Sequence, residues 1–182
     1  MGALIARLAL AAALAFPGAA AAQLSGAAEA QIKAAFLYKF GGFVEWPAGA
    51  FAGADSFAIG VLGGDAVALE LERLVAGRTV QDRPISVRRV RRGEPTGGLH
   101  VLFIGRGEAA RLPEVLAAAK GQPLLVVTES DNALASGSVI NFVQADDKVR
   151  FDVALPAAER GQLRISSRLL AVARKVVPGG SS

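Results

Sequence analysis

The chain has 182 residues, 20 Lys and Arg against 16 Asp and Glu, a formal charge of +4, one histidine and no cysteine. That length implies one ordinary domain with its own core, and an apolar share of 52% with 20% charged residues excludes a disordered chain. The missing cysteine excludes disulfides, a thiolate nucleophile and Cys-built zinc or iron–sulfur sites, and the lone histidine excludes any site needing several imidazoles.

Residues 1–22 read as a cleavable signal peptide. Arg7 is their only charge, an apolar run follows, Pro17-Gly18 breaks it, and Ala20-Ala21-Ala22 offers an Ala-x-Ala site before Gln23. A membrane span needs roughly 20 continuous apolar residues, and this run is broken at Pro17. Export makes the basic balance point to an acidic partner or a membrane surface rather than to nucleic acid.

Residues 29–44 predict an amphipathic helix with Ile32, Ala35, Phe36, Phe40, Phe43 and Val44 inward and Glu29, Gln31, Lys33 and Lys39 between them. Trp46-Pro47 ends it, because proline disfavours helical geometry in the residue before it. Residues 57–62 predict a buried strand, and 65–76 a helix capped by Asp65 and stopped by Gly77. Strands are expected at 84–90, 99–104 and 124–128, with a helix at 113–120. A polar loop covers 129–137, and 139–144 with 148–153 form a hairpin about Ala145-Asp146-Asp147. A short helical turn at 156–162 and a closing helix at 166–177, striped by Ile165, Leu169, Val172 and Val176, finish the domain. The predicted fold is a single-domain α/β sandwich over residues 23–177, with a mixed, mainly parallel sheet and helices on both faces. Residues 178–182 form an expected disordered tail.

Three features could carry chemistry. Gly105-Arg106-Gly107-Glu108-Ala109-Ala110 follows a strand, and Glu129 closes the next, which imitates a dinucleotide fingerprint. Pro113 marks the helix start, however, so the glycines precede its amide-rich end, and a plain strand-to-helix turn is preferred. His100 has no acidic or hydroxyl partner near it in sequence and is assigned a structural or exposed place. Asp146 and Asp147 satisfy a hairpin turn better than a metal site with Asp152 and Glu129. No catalytic, cofactor or metal residue is assigned.

Arg88, Arg89, Arg91 and Arg92 form the densest charge block: either a solvated guard on an edge strand or an anionic-partner surface, since arginine offers planar donors for carboxylate or phosphate. Arg168 is a further candidate partner contact, away from the closing helix's apolar stripe. Glu45-Trp46-Pro47, with the only tryptophan, is a candidate structural motif plugging the core at a helix end.

Several segments taken in order, Lys33-Ala34-Ala35-Phe36-Leu37-Tyr38-Lys39-Phe40, Phe43-Val44-Glu45-Trp46-Pro47, Leu124-Leu125-Val126-Val127-Thr128-Glu129, Gly137-Ser138-Val139-Ile140-Asn141-Phe142-Val143 and Val149-Arg150-Phe151-Asp152-Val153, carry a resemblance. Together with Leu163-Arg164-Ile165-Ser166-Ser167-Arg168 they resemble the YfiR family of bacterial periplasmic proteins. The resemblance implies a non-enzymatic periplasmic regulator without cofactor, a homodimer that restrains an inner-membrane diguanylate cyclase from the periplasmic side and lowers cyclic di-GMP signalling and biofilm formation. A periplasmic sensor of a small-molecule ligand is the alternative. Redox control through disulfides, found in some relatives, does not transfer to a chain without cysteine.

Overall fold

The computed structural model describes residues 18–179, with side chains described from residue 26 onward. The expected leader therefore lies outside the described residues up to residue 17, and the expected tail from residue 180.

Helix α1 (Gly18–Phe43) starts before the predicted boundary and ends one residue before it. Its buried face is Ala30, Lys33, Ala34, Leu37, Phe40 and Gly41, at steps of three and four. The predicted face is rotated from this: Ile32 is 43% exposed, Leu37 is fully covered, and Lys33 is only 6% exposed. The cause is composition. Alanines and aromatics surround the whole helix, so the large residues alone do not single out one side.

Five strands run parallel, β2 (Phe57–Leu62), β4 (Arg83–Val90), β5 (Val101–Ile104), β6 (Leu125–Thr128) and β7 (Ile140–Ala145), in the order β4-β2-β5-β6-β7. β8 (Lys148–Ala154) returns antiparallel to β7, and β3 (Thr79–Val80) lies antiparallel to β4 at one edge. From β2 the chain crosses outward to β4 through α2 (Asp65–Val75), then returns past β2 to β5. Crossovers between parallel strands are right-handed, so this reversal places helices on opposite faces. α1 and α2 pack over Ile59, Val61, Val101, Phe103, Leu125 and Val127. α3 (Leu112–Ala119) and α4 (Ala133–Ser136) cover Leu62, Leu102, Ile104, Leu124 and Val126. Alternate strand residues thus feed two cores, and that is why these strands read as unbroken apolar runs.

The C-terminal part departs from the predicted closing helix. α5 (Leu155–Arg160) and β9 (Arg164–Ile165) come first, and β9 pairs antiparallel with β1 (Val44–Glu45). Only Ser167–Val172 forms α6, capped by Ser166, whose hydroxyl accepts from Arg168 N–H at 3.2 Å. Residues Lys175–Val177 form β10, parallel to β8 at the second edge of the sheet. The stripe predicted as one apolar face is divided: Leu169 is buried while Val172 is 62% exposed. Tertiary pairing decides it, since Arg174 N–H donates to the Phe151 carbonyl at 2.9 Å and its guanidinium holds the buried Asp152 carboxylate. A helix continuing through Arg174 would turn that N–H back onto its own preceding turn.

Gly64, not Asp65, takes the N-cap position of α2, and Asp65 sits in its first turn without a capping bond. There its charge still faces the positive end of the helix dipole. A short 3-10 helix, Arg106–Arg111, precedes α3 where only a turn is predicted. The hairpin matches expectation: Asp146 and Asp147 have φ of 51° and 55°, the left-handed pair that a two-residue turn of this twist requires.

Candidate functional site

In an open parallel sheet the place for a ligand is the crevice beyond the carboxyl ends of the strands, where the strand order reverses. Here that point lies between β2 and β5, and the chain fills it with its own atoms. Gly105 packs so closely on the loop after β2 that a Cβ there would stand 2.1 Å from the Gly63 carbonyl oxygen. Gly63 itself, at φ +68°, has the Glu108 side chain lying over it. Glu108 is buried and receives the Arg92 guanidinium at 2.9 Å, which holds its carboxyl below the usual carboxylate range. The glycines of Gly105–Gly107 thus serve the close approach of two loops. A cavity of about 210 Å³ flanks the Arg92–Glu108 pair, floored by Leu62, Val90 and Val115.

Next to this point, beyond β6, stands a charged cluster. Lys33 from α1 reaches both Glu29, one turn before it, and Glu129 at the end of β6. The other oxygen of Glu129 accepts the Arg106 N–H at 2.9 Å, and Gln144 of β7 donates to Glu29 at 3.1 Å. One lysine therefore ties the first helix to the carboxyl ends of β5, β6 and β7. The cavity left among these groups is about 10 Å³, space for one water at most. Glu129, the acid that would hold a ribose in a dinucleotide site, is committed to Lys33 and Arg106.

Beneath the cluster a hydrogen-bonded set joins β6 to β7. The Thr128 hydroxyl donates to Asn141 Oδ1 at 2.7 Å, the same oxygen accepts the Ser130 N–H at 3.1 Å, and the Ser138 hydroxyl donates to the Ile140 carbonyl at 2.8 Å. Thr128 and Ser138 are fully buried, and each polar group would be costly to leave unpaired there.

His100 is 2% exposed and has both ring nitrogens occupied. Ala58 N–H donates to Nδ1 at 3.0 Å, which assigns the ring proton to Nε2, facing the Ala50 carbonyl at 3.2 Å. The ring stacks between Phe51 at 4.6 Å and Phe57 at 5.1 Å. Burial pushes its pKa below the usual imidazole value, Arg83 lowers it further, and the Ala50 carbonyl opposes the shift. The imidazole is held as a neutral strut, not poised as a base. Trp46 lies edge-on to Phe57 at 5.2 Å and to Phe51 at 6.1 Å, with Glu45 in β1 and Pro47 capping a 3-10 turn at Ala48–Phe51.

The arginine block spans the end of β4, with Arg88 and Arg89 in the strand and Arg91 and Arg92 just after it. Arg89 makes a two-point pair with Glu72 of α2, at 3.0 and 3.2 Å. Arg88 donates to the Pro95 carbonyl at 2.7 Å, and Arg92 holds Glu108. The Arg91 side chain is exposed and meets no carboxylate among the described residues. Arg168 is not brought to this block; it is exposed on α6, which leads to the opposite sheet edge. Asp146 and Asp147 are likewise separate from Asp152 and Glu129, each of which has its own cation, and no group of metal-ligating side chains occurs among the described residues. The pairs Lys33–Glu129 and Arg174–Asp152 join residues distant in the chain, so neither is marked in the sequence, whereas Glu29–Lys33 is an ordinary pair one helical turn apart.

A family model described as YfiR/HmsC-like matches residues 30–174, from the first buried alanine of α1 to the arginine that clamps Asp152. The chain belongs to the YfiR/HmsC-like family. The match takes in every element that builds the YfiR/HmsC-like sheet except β10. No curated protein matches the chain. Among solved structures it is similar to the ABC domain in complex with L-Trp from Streptococcus pneumonia, at 12% identity and a TM-score of 0.48. That likeness covers 66% of this chain and 55% of the other, so the match spans little more than half of that protein.

Proposed function

We propose that this chain is a periplasmic, non-enzymatic regulator that binds the periplasmic region of an inner-membrane diguanylate cyclase and favours its inactive state. Membership of the YfiR/HmsC-like family across residues 30–174 is the observation that carries this reading. The signal-like residues 1–22 support delivery to the periplasm and removal at Ala22. No helix among the described residues is long and apolar enough to cross a membrane.

The mechanism asks for binding alone. A partner shifts a two-state receptor only by its differential affinity, and a hundredfold preference for the inactive state is worth about 2.7 kcal/mol. Arg91 and Arg168 are the proposed partner contacts that need give up no ion pair. Arg88, Arg89 and Arg92 would contribute through the backbone they brace and their remaining donors. A homodimer is part of the proposal, on the ground of family membership.

The test is capture of a cyclase from the organism's own membranes by the purified mature protein, paired with cyclic di-GMP in a deletion strain. Capture with a rise in the nucleotide on deletion supports the regulator. No membrane partner together with an unchanged nucleotide level refutes it.

A further inference from the structure

A cavity of about 530 Å³ opens at the amino end of β6, the opposite end of that strand from Glu129, and its size suits a small-molecule site. Its floor is aliphatic: Leu116 of α3, Leu124, Val126 of β6 and Val139. Its charged lining residues are two cations, Lys120 after α3 and Arg160 at the end of α5, and no carboxylate lines it. Elsewhere Lys33, Arg89, Arg92, Arg111 and Arg174 each hold a carboxylate. Lys120 and Arg160 hold none among the described residues.

Backbone packing sets these two cations on one rim. At Gly161 a Cβ would stand 2.9 Å from the Gln122 carbonyl oxygen, so the end of α5 is drawn against the loop that carries Lys120. At Gly137, with φ +117°, a Cβ would lie 3.9 Å from Arg160 Nη2, which places the guanidinium beside the loop before β7. An apolar floor below two uncommitted donors is complementary to an amphipathic anion. The lining includes no aromatic side chain, so a flat aromatic ligand would find no ring to stack on.

We propose that this cavity binds an organic carboxylate with an aliphatic body, of the medium-chain fatty acid class, its carboxylate between Lys120 and Arg160 and its tail on the Leu116–Val139 floor. The proposal goes beyond the regulator reading and does not rest on it.

The experiment is a titration of the purified protein with octanoate, octanol and acetate, followed by heteronuclear NMR. Octanoate is expected to shift the amides of Gly121, Gly137 and Gly161. Octanol, with the same tail and no charge, is expected to bind about tenfold more weakly, the typical cost of losing charge-assisted hydrogen bonds. Arg160→Gln and Lys120→Gln should each weaken octanoate by a similar factor, and both residues are exposed, so thermal melting should be unchanged. Equal binding of octanoate and octanol, shifts mapping elsewhere, or no shifts at all would overturn the site. Acetate binding as tightly as octanoate would overturn the aliphatic pocket. No cyclase is present in the assay, so either result leaves the regulator proposal standing on its own test.

Discussion

Lys33 carries a cost that its neighbours must offset, since a cation at 6% exposure has lost most of its water. Glu29 and Glu129 supply that compensation, and removing the lysine leaves two carboxylates facing each other without a counter-charge. Lys33→Met is expected to cost about 3 kcal/mol in urea unfolding, whereas Glu129→Gln, which keeps an acceptor for Arg106 N–H, should cost less. An unchanged urea midpoint in Lys33→Met would show the cluster to be idle. His100 makes a second residue-scale prediction. Its folded pKa is depressed, so between the unfolded value of about 6.5 and the lower folded value the unfolded state binds the extra proton. Stability is therefore full above that unfolded value and falls as pH drops through the window, by at most about 1.4 kcal/mol per pH unit. As this is the only histidine, His100→Phe should flatten the curve there, read by chemical denaturation across the pH series.

At the scale of elements, adjacent glycines near the end of α1 have opposite constraints. Gly42 has nothing within 4 Å of a would-be Cβ, while at Gly41 that atom would meet Val80 Cγ1 at 2.9 Å and the Phe57 ring at 3.2 Å. Gly42→Ala should gain about 0.5 kcal/mol from helix propensity, and Gly41→Ala should lose about 1–3 kcal/mol by pushing β3 off the helix. Thermal melting of the two variants separates them by sign. β10 is only three residues long, and the Arg174–Asp152 pair at its start adds to its backbone pairing with β8. Arg174→Ala should speed hydrogen exchange at Val176 and Val177 while leaving β5 and β6 protected. Uniform protection in the variant would mean that strand pairing alone holds the edge.

For the whole molecule, the two faces of the sheet are unequally covered. α1 and α2 close one side with the longer helices, and α3 with the short α4 leaves the second side open at the amino end of β6. The Lys33 cluster lies at the carboxyl end, the arginine block at the end of β4, and Lys120 with Arg160 at the amino end of β6. If Arg91 and Arg168 contact the cyclase, Arg91→Glu and Arg168→Glu should reduce its capture and make the remaining binding less salt-dependent, with melting unchanged since both side chains are exposed. Capture equal to that of the parent chain would move the contact to another surface.

Much of this architecture is legible from the sequence, because its signals are local. β2 is marked by an apolar run closed by Gly63-Gly64, the hairpin by two aspartates at a tight turn, and α2 by apolar residues at helical spacing. Each is set by neighbours within a few residues. What the tertiary structure decided are the contacts between distant parts. Lys33 and Glu129 are 96 residues apart, and nothing near either one marks the pair. The same holds for Arg174 and Asp152: a stretch with helical spacing became strand β10 because its arginine binds an acid on β8. The buried face of α1, the occupied switch-point crevice and the open cavity below α3 depend on how layers meet in space, so residue order and spacing leave them undetermined.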